Sequence, residues 1–254
     1  MKRIIKPALV AIAAFAFSGL ANAASDGSGV YRPSVRINPT DIPTLQRGYA
    51  VFIQTCLSCH SLELMRYNRV AEDLEWSEED MREVGLIPGD AKMVDYIKTQ
   101  LDSEGAMAAY GVVPPDLSLK ARERGVDWVH GFLTGYYQDS DSKIGFNNAV
   151  LVNTAMPNVL AGKQGMQKPV YEEHQGKKQL VGLALTSAGA LNAKQFYEEM
   201  RDLVSFLRYA SEPAIIKRTS LGACVIGFLL ILLLLTWLLK REYWRDIKKG
   251  GVSD

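Results

Sequence analysis

Residues 56–60 read Cys-Leu-Ser-Cys-His, which puts two of the chain's three cysteines and one of its three histidines within five positions. Two thiols at this spacing, followed at once by an imidazole, suit a redox pair, half of a zinc site, or a c-type haem attachment in which each thiol adds to a vinyl group and the histidine ligates iron. A redox pair needs a βαβ setting, which does not surround the motif. A zinc site needs two more ligands, yet the remaining cysteine, Cys224, sits in a long uncharged apolar run and reads as an inert apolar residue. Covalent haem c, one per chain, is the chemistry that fits, with Cys56 and Cys59 as tethers and His60 as the proximal ligand.

The sixth iron position then decides what the haem does. A second strong ligand closes the iron for outer-sphere electron transfer, whereas an open position permits peroxidase or gas-binding chemistry. The candidates are Met65, Met81, Met93, Met107, Met156, Met166, Met200, His130 and His174. Met65 is too near His60 to cross to the other haem face, and Met200 belongs to an apolar helical stripe. Met156 stands out because Pro157 follows it in a loop 96 residues after His60, with Met166 and Met107 next. His130 suits a helix rich in aromatics, and His174 an exposed loop.

These residues need elements to hold them. A helix is expected from Thr40 or Asp41, with Pro43 in its first turn and Leu45, Tyr49, Phe52, Ile53 and Cys56 on one face, so that the first cysteine ends the helix on its buried side. Asp116, after Pro114-Pro115, suits the cap of a short helix, and Asp127 a second one bearing Trp128, Phe132, Leu133 and Tyr136. From Gly145 to Gly176, glycine, proline and asparagine recur without a period, which reads as a long loop. Asn192 and Gln195 open the cleanest helix, with Phe196, Met200, Leu203, Val204 and Leu207 on one face, ending near Glu212-Pro213. No internal repeat is visible. The fold class is mainly α: one c-type cytochrome domain with long loops, plus one C-terminal transmembrane helix.

The ends set the compartment. Residues 1–23 carry a basic start, an apolar run and an Ala-Asn-Ala cleavage site, a secretory signal. Residues 24–216 form the exported haem domain, whose first residues, 24–38, read as an extended arm. Residues 217–240 form a membrane anchor, because 221–239 carry no charge. Residues 241–254 form a cytoplasmic tail, held inside by Lys240, Arg241, Arg245, Lys248 and Lys249. The expected location is a bacterial inner membrane with the haem domain in the periplasm. Although the whole chain carries a formal charge of +1, residues 24–216 hold 19 Lys and Arg against 25 Asp and Glu, a net of −6. Such a head favours a basic protein partner and excludes nucleic acid. Seven acids crowd residues 72–83, where Ser77 and Asp80 resemble a capping box. This run reads first as a solvated face and second as a docking surface.

The chain resembles the cytochrome c1 family, the haem subunits of the quinol–cytochrome c reductase (cytochrome bc1) complex. The resemblance runs through "RGYAVFIQTCLSCHSL", "PPDLSLKARERG", "FLTGYY", "AMPNVL", "LVSFLRYASEP" and "KREYWRDIKK" in that order, with the anchor at the C-terminus. It implies thioether bonds at Cys56 and Cys59 and axial ligands His60 and Met156. It also implies an electron-transport role in a respiratory chain: single electrons arrive from the Rieske iron–sulfur protein and leave to a soluble or membrane-bound cytochrome c. Quinol is oxidised on the neighbouring cytochrome b, so the chain has no substrate-binding catalytic site of its own and works as a subunit of a dimeric multisubunit enzyme. Some members place an arginine on a haem propionate shortly before the PPDL segment. Here "EGAMAAYG" has none, and Arg122 is the expected substitute. The alternative is another membrane-anchored c-type cytochrome feeding a terminal oxidase or reductase.

Overall fold

The computed structural model describes residues 34–174 and 177–249. The expected signal at 1–23 lies outside the described residues, as does the arm up to residue 33.

Helix α1 (Ile42–Val51) begins where expected: Asp41 accepts a hydrogen bond from the Thr44 amide at 3.0 Å, and Pro43 occupies the first turn. It buries Leu45 and Tyr49, then widens into one π-helical turn, Phe52–Cys56, which delivers the first cysteine. Such turns insert an extra residue and often sit at functional sites. Strand β1 (Leu62–Arg66) follows and pairs antiparallel with β2 (Tyr96–Ile97). Between them lie α2 (Tyr67–Asp73) and α3 (Glu78–Glu83), the latter opened by the Ser77–Asp80 capping box.

Helices α4 (Ser103–Tyr110), α5 (Lys120–Arg124) and α6 (Val126–Thr134) lead to a short hairpin of β3 (Tyr136–Gln138) and β4 (Phe146–Asn148). The two expected caps do other work. Asp116 accepts from the amides of Glu63 at 2.7 Å and Ser118 at 2.9 Å, tying β1 to the Pro114-Pro115 segment. Asp127 lies one residue inside α6 and accepts from the Val35 amide at 2.8 Å.

The expected loop from Gly145 to Gly176 is only partly a loop. It contains β4, the short helix α7 (Ala161–Gln164) and strand β5 (Gly165–His174), which pairs with β6 (Lys177–Ala188) in a long antiparallel hairpin. Helix α8 (Ala193–Ala210) starts at the Asn192–Gln195 capping box and buries Phe196, Met200, Leu203, Val204, Phe206 and Leu207. It packs on α1, where Tyr49 and Phe206 bring their ring centroids to 5.2 Å. Helix α9 (Ile215–Lys249) runs unbroken through the expected anchor and on into the expected tail. Its stretch Leu221–Arg245 is 25 residues long, apolar enough to cross a membrane and not covered by the rest of the chain.

The fold is therefore mainly helical with three small two-stranded sheets among the described residues. The α1–α8 core is the wall against which the Cys56–His60 turn is built.

Candidate haem site

The Cys56 carbonyl accepts from the amides of Cys59 at 3.1 Å and His60 at 2.8 Å, closing the attachment motif into one compact turn at the end of the π-helical segment. That turn lines a cavity of about 490 Å³, within the roughly 300–1,000 Å³ of small-molecule and cofactor sites. Its walls come from distant parts of the chain: Pro114, Pro115 and Leu117, then Trp128, Phe132 and Leu133 of α6, the 151–160 loop, and Leu203 and Leu207 of α8. Trp128 and Phe132 stack nearly parallel with centroids 5.3 Å apart, giving a flat aromatic surface.

His60 is oriented by one bond. Its Nδ1 lies 2.7 Å from the Pro115 carbonyl oxygen. A carbonyl can only accept, so Nδ1 carries the proton and Nε2 keeps its lone pair for a metal. Burial holds the His60 pKa below its ordinary 6.5, against the opposing pull of the Pro115 carbonyl and Asp116. The imidazole is thus neutral, the form a ligand requires. Burial likewise pushes the Cys56 thiol up to about 12, with Lys163 pulling the other way.

The structure brings Met156 into the same cavity as Cys56, Cys59 and His60. The other sulfurs go elsewhere. Met65, Met81 and Met200 are sealed in the core and Met93 packs against it, while Met107 is exposed on α4 and Met166 pairs with Ser187 in the long hairpin. None of them lines the cavity. His130 is buried on α6 with its ring edge-on to Tyr197, and His174 ends β5.

Arg122, the expected propionate partner, does not line the cavity. It belongs to the charge environment of Glu212, where, with Arg208 and Arg218, it helps hold that carboxylate low. The cations on the cavity wall are Lys120 and Arg124. On a helix, residues four apart share a face and a residue midway between them points away; α5 shows Lys120 and Arg124 to the cavity and turns Arg122 from it. The guanidinium of Arg124 lies 5.3 Å from the Trp128 ring centroid.

These residues fit a c-type haem: two thiols and a neutral imidazole on one turn, apolar and aromatic walls, and two cations on the cavity wall. The family model of the Cytochrome C1 family matches residues 34–247. The chain belongs to the Cytochrome C1 family. It is 39% identical over 226 residues to cytochrome c1 of Allochromatium vinosum, covering 88% of this chain and 92% of that one. It is 28% identical over 286 residues to cytochrome c1 of Rhodospirillum rubrum, covering 98% and 100%. A Nitrosomonas europaea protein named ammonia monooxygenase gamma subunit is 39% identical over 245 residues, covering 96% and 99%. Members of the Cytochrome C1 family carry covalently bound haem c, and the chain is accordingly a haem subunit of a bc1-type oxidoreductase complex.

Proposed function

We propose that this chain is the membrane-anchored electron relay of a quinol–cytochrome c reductase, taking single electrons from the Rieske iron–sulfur protein and passing them to a cytochrome c. The observation that carries this reading is the placement of Met156, 96 residues from His60 in sequence, on the wall of the same apolar cavity. Haem c bound there supplies a one-electron couple. Cys56 and Cys59 hold it covalently. His60, fixed by Pro115, would supply a nitrogen ligand and Met156 a sulfur ligand, which favours the reduced state relative to a second histidine. Lys120 and Arg124, on the same wall, would hold the haem carboxylates. Trp128, Phe132, Leu133, Leu203 and Leu207 exclude water, which raises the potential further.

The uncovered apolar stretch of α9 supports a membrane anchor, and the basic residues after it support a cytoplasmic C-terminus and a periplasmic head. Together they tether the haem domain on the same side as its electron donor.

The Nitrosomonas relative's name raises a second assignment, a haem subunit travelling with a monooxygenase. Gentle detergent purification from native membranes separates the two. Co-isolation with a cytochrome b and an iron–sulfur protein is expected, whereas recovery with monooxygenase subunits and neither of those would overturn the proposal.

A further inference from the structure

The segment from Ala149 to Met156 has no helix or strand of its own, yet it is tied down residue by residue. The side chain of Asn147 accepts from the amides of Asn148 at 2.9 Å and Asn153 at 2.8 Å, and donates to Asp139 at 2.8 Å. The side chain of Asn148 donates to the Phe132 carbonyl at 2.8 Å, and accepts from the amides of Val150 at 2.9 Å and Leu151 at 3.2 Å. Both asparagines are themselves buried, and the bond between the Asn148 amide and the Asn147 side chain lies wholly inside. Asn153, itself on the cavity wall, takes a φ of +60°, which asparagine tolerates better than most residues. The last tie is on Met156 itself: the Tyr136 hydroxyl donates to its carbonyl oxygen at 3.1 Å, from a side chain only 1% exposed.

We propose that Tyr136 is a positioning residue for the Met156 sulfur, acting through the Met156 carbonyl, with Asn147 and Asn148 as the footing of the same brace. The proposal rests on Met156 being an axial ligand. A thioether binds iron weakly, so a ligand on an irregular loop stays bound only if the loop has little freedom to swing away. Tyr136 stands on β3, packs edge-on against Phe132 with centroids 5.5 Å apart, and so links the sulfur's backbone to the aromatic wall of the cavity. No other residue donates a hydrogen bond to the Met156 carbonyl among those described.

The test uses full-length holoprotein in detergent and carbon monoxide as the probe, because carbon monoxide reaches reduced haem iron only when the sulfur is off. Met156→Leu comes first: loss of the oxidised protein's sulfur-to-iron absorption establishes the ligand, and its survival sinks the ligand assignment and this inference with it. Tyr136→Phe then removes the hydroxyl that bonds the Met156 carbonyl, and its contact with the Thr154 side chain, while keeping the ring, and carbon monoxide should bind the reduced protein about five- to tenfold faster, the factor expected for one hydrogen bond. The haem potential should fall as well. Asn147→Ala, which frees the Asn153 amide instead, should shift both readouts in the same direction. If Met156→Leu loses the absorption while both brace variants keep wild-type carbon monoxide kinetics and potential, Tyr136 is merely part of the core and the inference fails, whatever the variants do to thermal stability.

Discussion

His130 is 2% exposed, and among the described residues neither of its ring nitrogens has a hydrogen-bond partner. Burial holds its pKa below 6.5, with Asp127 opposing. The folded state therefore refuses a proton that the unfolded chain accepts. This contribution to stability is full above about pH 6.5 and is lost as the pH falls through the depressed folded value. His130→Phe should give a shallower acid limb in a series of thermal midpoints taken from pH 8 to 5. At neutral pH it should be neutral or stabilising by about 1 kcal/mol, because two orphaned polar atoms are removed. Parallel wild-type and variant curves would show that some other group sets the acid limb. The attachment motif was legible at this scale because its chemistry is local in sequence. That Lys120 and Arg124 line the cavity while Arg122 does not is legible only through helical phase, which puts positions four apart on one face. The side-chain bonds of Asn147 and Asn148 lay hidden, since an asparagine carries no mark in the sequence of what it will bind.

At the scale of elements, the haem turn depends on how closely α1 can approach α8. Gly48 makes that approach, since a Cβ there would sit 2.1 Å from the Asp202 carbonyl oxygen and 2.8 Å from the Phe206 Cβ. Arg47 adds a 2.6 Å ion pair to the buried Asp202 at the same crossing. Gly48→Ala should therefore destabilise the head by about 1–3 kcal/mol, the usual range for overpacking, and lower the fraction of chains that retain haem. Chemical denaturation followed by haem absorbance measures both, and an unchanged midpoint would mean that the helices can separate without cost. Both helices were legible because each has a capped start and a single apolar stripe. The β5–β6 hairpin was not. Val170 and Tyr171 are both exposed, as are Val181 and Leu185, so the strands lack the alternation that a half-buried sheet imposes. Irregularities after Met166 and Val170 shift the register as well, and Pro169 lies within β5. The π-helical turn before Cys56 was hidden for a different reason: it is only five residues long and carries no cap signal of its own.

For the whole molecule, the acidic run at 72–83 proves to be largely structural. Asp73 is buried and accepts from Tyr209 at 2.8 Å and Arg69 at 2.6 Å; Asp80 closes the capping box; Glu78 pairs with Arg82 at 2.9 Å. Glu72 lies 3.7 Å from Lys217, which places this end of the run at the root of α9, and no residue of the run lines the haem cavity. Glu75, Glu79 and Glu83, all exposed, remain as the members with no such assignment in the fold. The net charge of −6 over residues 24–216 still predicts that a basic soluble cytochrome is steered to the head, with a rate that falls as salt screens the attraction. The contribution of the run itself is tested by Glu79→Gln combined with Glu83→Gln, changes that leave the capping box and the buried ion pair intact. Stopped-flow oxidation of the reduced protein by a basic cytochrome should be slower at low ionic strength for the double variant, and its salt dependence should be flatter. If the two salt curves superimpose, steering comes from acids elsewhere on the head, and the run serves only to cap and pin α2 and α3 beside α9.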